Sequence, residues 1–170
     1  APIVRLRALE TEAIRHPEVS ILAIATLPDC LQPEFLELLS DLKQIKPVWV
    51  GLGLQSIHPQ TAAYVRRSYP LSVYDAAVLN LHERGIEVMT HVILGLPGET
   101  ADDMLATADS IAHQPIQGVK LQLLHVLKGT DLYTDYLQQP FHVLILEDYM
   151  ANLIRWYEHM PKAVFIHRIT

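Results

Sequence analysis

Three histidines, His91, His125 and His167, each fall in an apolar run that reads as a strand: E-V-M-T-H-V-I-L, V-K-L-Q-L-L-H-V-L and A-V-F-I-H-R-I-T. Neighbouring strands could bring the three imidazoles together, and such a set suits zinc, at about 2.0–2.1 Å per nitrogen. Strand histidines in a polar barrel interior more commonly hydrogen-bond to backbone or to a neighbouring side chain, and one facing a substrate can handle its proton. The second group of interest is the turn G-L-P-G-E-T. Gly95 and Gly98 permit backbone that a side chain would block, and Pro97 fixes one φ between them. The turn either joins strand to helix or contacts a ligand there, and Glu99 favours the positive end of the next helix over a role as base. Cys30 reads as inert packing at a strand exit and Asp29 as a cap for the helix beginning at Pro33. Lys128 stands at a strand exit, free to meet an anion or water.

Composition narrows the classes. The chain has 170 residues, half of them hydrophobic, a net charge of −6 and one cysteine. One cysteine excludes an internal disulfide or a multi-cysteine metal site made by this chain alone, and fits a reducing cytoplasm. The acidic balance argues against a nucleic-acid backbone binder; Arg66 and Arg67 read as surface charge. Tyr74, Tyr149, Trp156 and Tyr157 read as helix packing. No apolar run reaches the roughly 18 residues of a membrane span. The opening Ala-Pro-Ile-Val-Arg lacks Met and any secretion-signal pattern, so the chain reads as cut from something longer.

The positioning elements alternate. A helical stripe over Val4–Arg15 precedes a buried strand, Val19–Thr26, and a helix from Pro33 carrying Phe35, Leu38, Leu39 and Leu42. Val48–Gln55 is the next strand, followed by a short helix to about Arg67 and a longer one over Ser72–Arg84, which Gly85 stops. Glu87–Leu94 is mostly apolar and β-branched, as a parallel strand covered on both faces should be. Thr100 with Asp103 three residues on forms a capping-box-like start to the helix Ala101–His113. A fourth strand covers Val119–Leu127, a short helix or loop Tyr133–Gln139, a longer helix Leu146–Met160, and a last strand Ala163–Thr170. This alternation predicts an α/β protein of about five parallel strands in a single domain, either an open doubly wound sheet or part of a (β/α) barrel. Glycine turns after successive strands favour a partial TIM-like barrel.

V-W-V-G-L-G-L-Q-S at 48–56 and R-G-I-E-V-M-T-H-V-I-L-G-L-P-G-E-T at 84–100 resemble the radical S-adenosylmethionine (radical SAM) enzymes. With L-P-D-C-L, L-L-H-V-L-K-G-T and F-I-H-R-I-T in the same order, the chain is similar to a bacterial iron–sulfur oxidoreductase subgroup. That subgroup is related to Elongator-type and coproporphyrinogen-oxidase-like proteins. The resemblance implies a partial barrel holding a 4Fe-4S cluster and S-adenosylmethionine, with hydrogen abstraction by a 5′-deoxyadenosyl radical. It places the cluster's Cys-x3-Cys-x2-Cys loop and the first two strands outside this chain. The chain is then the carboxyl-terminal portion of the barrel, with no cluster expected in it and no activity alone.

On the same resemblance, Gln55 and Ser56 lie at the ribose-contacting strand end. Val92, Ile93, Leu94 and Gly95 match the strand lining the adenine, with His91 in place of its first glycine. His125, Val126 and Leu127 match the strand packing against the adenine edge. His91, Gln122 and His167 are candidates for the substrate pocket. Leu27 replaces a usual arginine, Gly51 a usual glutamate, and Ser68-Tyr69 a usual Gly-His, which removes two charged groups from the mouth. Two other readings compete: a non-catalytic α/β piece that self-associates through an open sheet edge, and an ordinary (β/α) barrel for a phosphorylated metabolite.

Overall fold

The computed structural model describes residues 2–169. In chain order the elements are α1 (Ile3–Arg15), β1 (Leu22–Thr26), a 3-10 turn (Pro28–Cys30), α2 (Pro33–Lys43), β2 (Val48–Gln55), α3 (Pro59–Tyr64), α4 (Leu71–Glu83), β3 (Glu87–Leu94), α5 (Ala101–Ala112), β4 (Gly118–Leu123), α6 (Asp131–Gln138), α7 (Leu146–Glu158) and β5 (Phe165–Ile169). The strands form one sheet in the order β1-β2-β3-β4-β5, each pair parallel. A spatial order that follows chain order, with every crossover of the same hand, places all the helices on one face. That excludes the doubly wound sheet and leaves a barrel-like arc.

Burial identifies the two faces. Val48, Val50, Leu52 and Leu54 of β2, Val88, Thr90, Val92 and Leu94 of β3, and Val119 and Leu121 of β4 are each 2% exposed or less. All of them but Thr90 join Leu38, Leu42, Tyr74, Leu81, Ile111 and Trp156 from the helices in one hydrophobic cluster. Side chains alternate across a strand, so Trp49, Gly51 and Gly53, then Met89, His91 and Ile93, then Gly118, Lys120 and Gln122 occupy the other face. That face is concave. Trp49 on β2 and Phe165 on β5 are three strand spacings apart, roughly 14 Å in a flat sheet. Their ring centroids nonetheless lie 5.6 Å apart. The rings meet over Gly118, where an added Cβ would fall 2.6 Å from Met89 Sδ and 3.0 Å from the Phe165 ring.

Several element boundaries differ from the sequence reading. β1 begins at Leu22 rather than Val19, and β5 begins at Phe165 rather than Ala163; Thr170 lies outside the described residues. The main correction concerns β4, which ends at Leu123 and not at Leu127. β3 stops at Leu94, and its last bond to this segment is the Leu124 N–H to the Leu94 carbonyl, 3.0 Å. Among the described residues β5 pairs as far as Leu121. Past Leu124 the segment finds no further strand partner among the described residues, however apolar it is.

Candidate functional site

The C-terminal ends of β2, β3 and β4 meet at one rim. β2 bulges where it leaves the sheet: Gly53 pairs with His91, but the next partner of β3, Val92, pairs with Gln55. Gln55 absorbs the extra residue in a left-handed backbone, φ 61. Its side-chain Nε2 would lie 2.7 Å from a Cβ added to Gly53, so the amide folds back over that glycine on the concave face. The carbonyls on either side of Gln55 are held by one side chain. Arg67 Nη1 donates to the Leu54 carbonyl at 2.9 Å and to the Ser56 carbonyl at 2.6 Å, while Nε donates to the Tyr69 carbonyl at 3.0 Å. Tyr69 donates its hydroxyl to the Gly53 carbonyl and carries the guanidinium over its ring, 5.4 Å from the centroid. Burial pushes the Arg67 guanidinium below its ordinary pKa and the Tyr69 phenol above its own. Arg67 is thus no surface charge, in contrast to the sequence reading; Arg66 is one, paired with Asp131 at 2.6 Å.

Ser56 is 1% exposed and fully engaged. Its hydroxyl donates to the Glu99 carboxylate and accepts from the His58 N–H at 3.1 Å. This ties the β2 exit to the β3 turn. In that turn Gly95 and Gly98 have φ of 82 and 85, the left-handed region that a side chain rarely adopts. Thr100 and Asp103 close a full capping box on α5. Gly95 is buried: a Cβ there would lie 3.0 Å from Leu144, so the α6–α7 connection folds across it. Asp29 does not cap α2, whose N-cap is Gln32; its carboxylate accepts from Ser68 at 3.2 Å. Cys30 is exposed rather than packed, and Tyr157 is likewise exposed.

The other site residues divide by face. Val92 and Leu94 point into the core beneath the helices, so only their backbone and the Ile93 side chain address the concave side. Gln122 sits beside Ile93 in register, and Lys120 beside His91. His167 packs against Trp49 with centroids 6.0 Å apart, and it is close enough to His91 to act on its charge. His125, Val126 and Leu127 lie past the end of β4, with His125 exposed, because their segment has lost its pairing partners. The three histidines do not converge; among the described residues no three His, Cys, Asp or Glu side chains are grouped to hold a metal. His91 is the perturbed group of the face: burial first, then Lys120 and His167, hold its pKa below the ordinary value.

Arg67 and Glu99 were missed as site-forming residues. An arginine within a glycine-poor return loop gives no sequence sign of the carbonyls it will reach, and Ser56 and Glu99 are linked only by strand adjacency. The Ser-then-Glu placement after consecutive parallel strands was the one available signal.

The sequence matches the radical SAM superfamily over residues 2–111 and the radical SAM C-terminal domain over residues 116–170. It is 36% identical to YtqA of Bacillus subtilis over 170 residues, all of this chain and 53% of that protein. It is 31% identical to YhcC of Escherichia coli over 166 residues, 97% of this chain and 54% of that protein. The chain therefore spans about half the length of these relatives. Among solved structures, archaeal Elp3 of Methanocaldococcus infernus superposes with a TM-score of 0.83 at 22% identity, over 97% of this chain and 39% of that one. Coproporphyrinogen III oxidase of Escherichia coli superposes at 0.66 and 17% identity, over 89% and 34%. Both likenesses bear on the fold. No helix among the described residues is long and apolar enough to cross a membrane.

Proposed function

This chain belongs to the radical SAM superfamily, and from that premise we propose that it forms the carboxyl-terminal part of a radical SAM iron–sulfur enzyme barrel, on the side that meets S-adenosylmethionine and substrate. The observation that supports the assignment is the shared rim, where Gln55, Ile93 with the Gly95 turn, and the exit of β4 stand on adjacent strands. Their chemistry suits a nucleoside: an amide from Gln55, apolar Ile93, and the backbone of residues 125 and 126 past the end of the β4 ladder. Gln55 would address the ribose hydroxyls, and Ile93 with the backbone at 124–127 would sandwich the adenine. Ser56 acts through Glu99 rather than directly, since its hydroxyl is already bonded on both sides. Leu144 over Gly95 would keep water from the base. When bound, S-adenosylmethionine and a 4Fe-4S cluster supply an organic radical that abstracts hydrogen. With one cysteine in the chain, at least two of the three thiolate ligands of such a cluster would come from outside these 170 residues. We place the reaction in the cytoplasm.

The test uses the full-length protein, reconstituted anaerobically and supplied with a reductant and S-adenosylmethionine. 5′-Deoxyadenosine should accumulate, and Q55A should raise the half-saturating S-adenosylmethionine concentration by about tenfold, as loss of one well-placed hydrogen-bonding side chain does. Reconstituted protein that carries the cluster yet forms no deoxyadenosine sinks the reading. A second reading, self-association of the chain, draws on the unpaired edges of β1 and β5 and on exposed Ile154 and Ile169 beside the latter. A monomeric mass by light scattering across micromolar concentrations would count against it.

A further inference from the structure

The concave face holds hydrogen-bond donors with nothing to donate to. Lys120 lies in register with His91, and on its other side with Arg168 of β5. Among the described residues neither the Lys120 nor the His91 side chain makes an ion pair or hydrogen bond, and His91 Nε2 is buried without a partner. Glu87, at the start of β3, is the acidic side chain of this face of the strand, four residues from His91 towards the far end of the arc.

Gly51 explains how the imidazole is seated. An added Cβ at Gly51 would lie 2.9 Å from His91 Nε2 and 3.4 Å from Cε1, so the ring rests on the space this glycine leaves on the neighbouring strand. The seat encloses Nε2 without giving it a partner. Nε2 is the enclosed ring nitrogen, and a ring protonated on Nδ1 would present that N–H to the open side. Lys120 and His167 are near enough to act on the charge of this ring, and Gln122 stands two residues further along β4 on the same face. Among the described residues no carboxylate is paired with Lys120 or His91, and such donors and positive charge suit negative oxygen.

We propose that His91 and Lys120, with Gln122 at the rim, bind an oxyanion, a carboxylate or phosphate group carried by the substrate. The proposal rests on the reading of the concave face as the substrate side and adds to it the substrate's charge. Gly51 is then a specificity residue: a glutamate at that position would put a carboxylate where the imidazole lies and repel the anion.

The test is a titration of the 170-residue chain, labelled at histidine, with sodium acetate and separately with inorganic phosphate, followed by nuclear magnetic resonance. The His91 ring signals should move saturably, and its pKa should rise, since a bound anion favours imidazolium. Exposed His142 should not follow. K120Q should weaken the response by roughly tenfold, and K120R, which keeps the charge, should retain it. Saturation by acetate alone assigns a carboxylate, and by phosphate alone a phosphate. No saturable movement at His91 with either salt, or movement that K120Q leaves unchanged, overturns the proposal. Deoxyadenosine formation by the full-length enzyme together with a silent His91 would refute the anion seat and spare the family reading. A responsive His91 in an enzyme that never cleaves S-adenosylmethionine would do the opposite.

Discussion

Replacing Arg67 by alanine should be among the most damaging single changes outside the apolar core. Its guanidinium serves the carbonyls of Leu54, Ser56 and Tyr69, residues that are 0%, 1% and 5% exposed. A buried carbonyl stripped of its donor costs about 1–3 kcal/mol. The three bonds share one side chain and some of the freed carbonyls will take up water, so they do not add in full; about 2–5 kcal/mol in total is expected. With a urea dependence of about 1–3 kcal/mol per molar, the unfolding midpoint should fall by about 1 M or more. R67K tests the geometry, because an ammonium keeps the charge but not the fork, and it should recover less than half of the loss. Circular dichroism during urea titration of both variants gives the comparison. If R67A melts within about 0.3 M of the parent chain, a difference worth well under 1 kcal/mol, the carbonyls are being solvated and the argument for a pinned β2 exit fails.

Two further changes probe the frame beneath the rim. The hydroxyls of Tyr74 and Thr90 are 2.7 Å apart and both residues are 1% exposed or less, so T90V should cost about 1–3 kcal/mol while T90V/Y74F recovers most of it; equal losses in single and double variants would show that the pair is not the reason. Asp103 is held below the ordinary carboxylate range by the backbone N–H and then the hydroxyl of Thr100. Its folded pKa is therefore depressed, so its contribution is complete above about pH 4 and is lost as pH falls through the folded value. D103A should cost about 0.5–1 kcal/mol at pH 7 and converge on the parent chain in acid, and a pH-independent difference would contradict the capping box.

What the sequence disclosed depended on how local each cause was. β3, its glycine turn and the Thr100 box were legible residue by residue, because β-branched content, φ preference and a three-residue capping pattern all act within a few positions. The end of β4 was not. Leu124, His125, Val126 and Leu127 look like strand, but a strand lasts only as long as its neighbours, and the end of β3 at Leu94 sets that length from elsewhere in the chain. The predicted rim residues were accordingly split, with Gln55 and Gln122 on the open face, Val92 and Leu94 turned into the core, and His125 off the sheet. The donors on the carbonyls around Gln55 were hidden for the same reason, since Arg67 looks like any other surface arginine until its loop folds back. Pairing of Ser56 with Glu99 likewise needs β2 and β3 side by side.

The agreement between strand order and chain order has a consequence for assembly. Each strand joins the one made just before it, so the arc can grow from one end while the polypeptide is still being synthesised, with no later segment threading between earlier ones. The meeting of Trp49 with Phe165 belongs to the last of these additions, because β3 and β4 must already have bent the arc before β5 can bring its ring within 5.6 Å. Trp156 is enclosed on the opposite face under α7, so the two indoles time different events. Quenching at Trp49 would mark the moment the arc acquires its full curvature, while Trp156 reports on the drying of the helical layer.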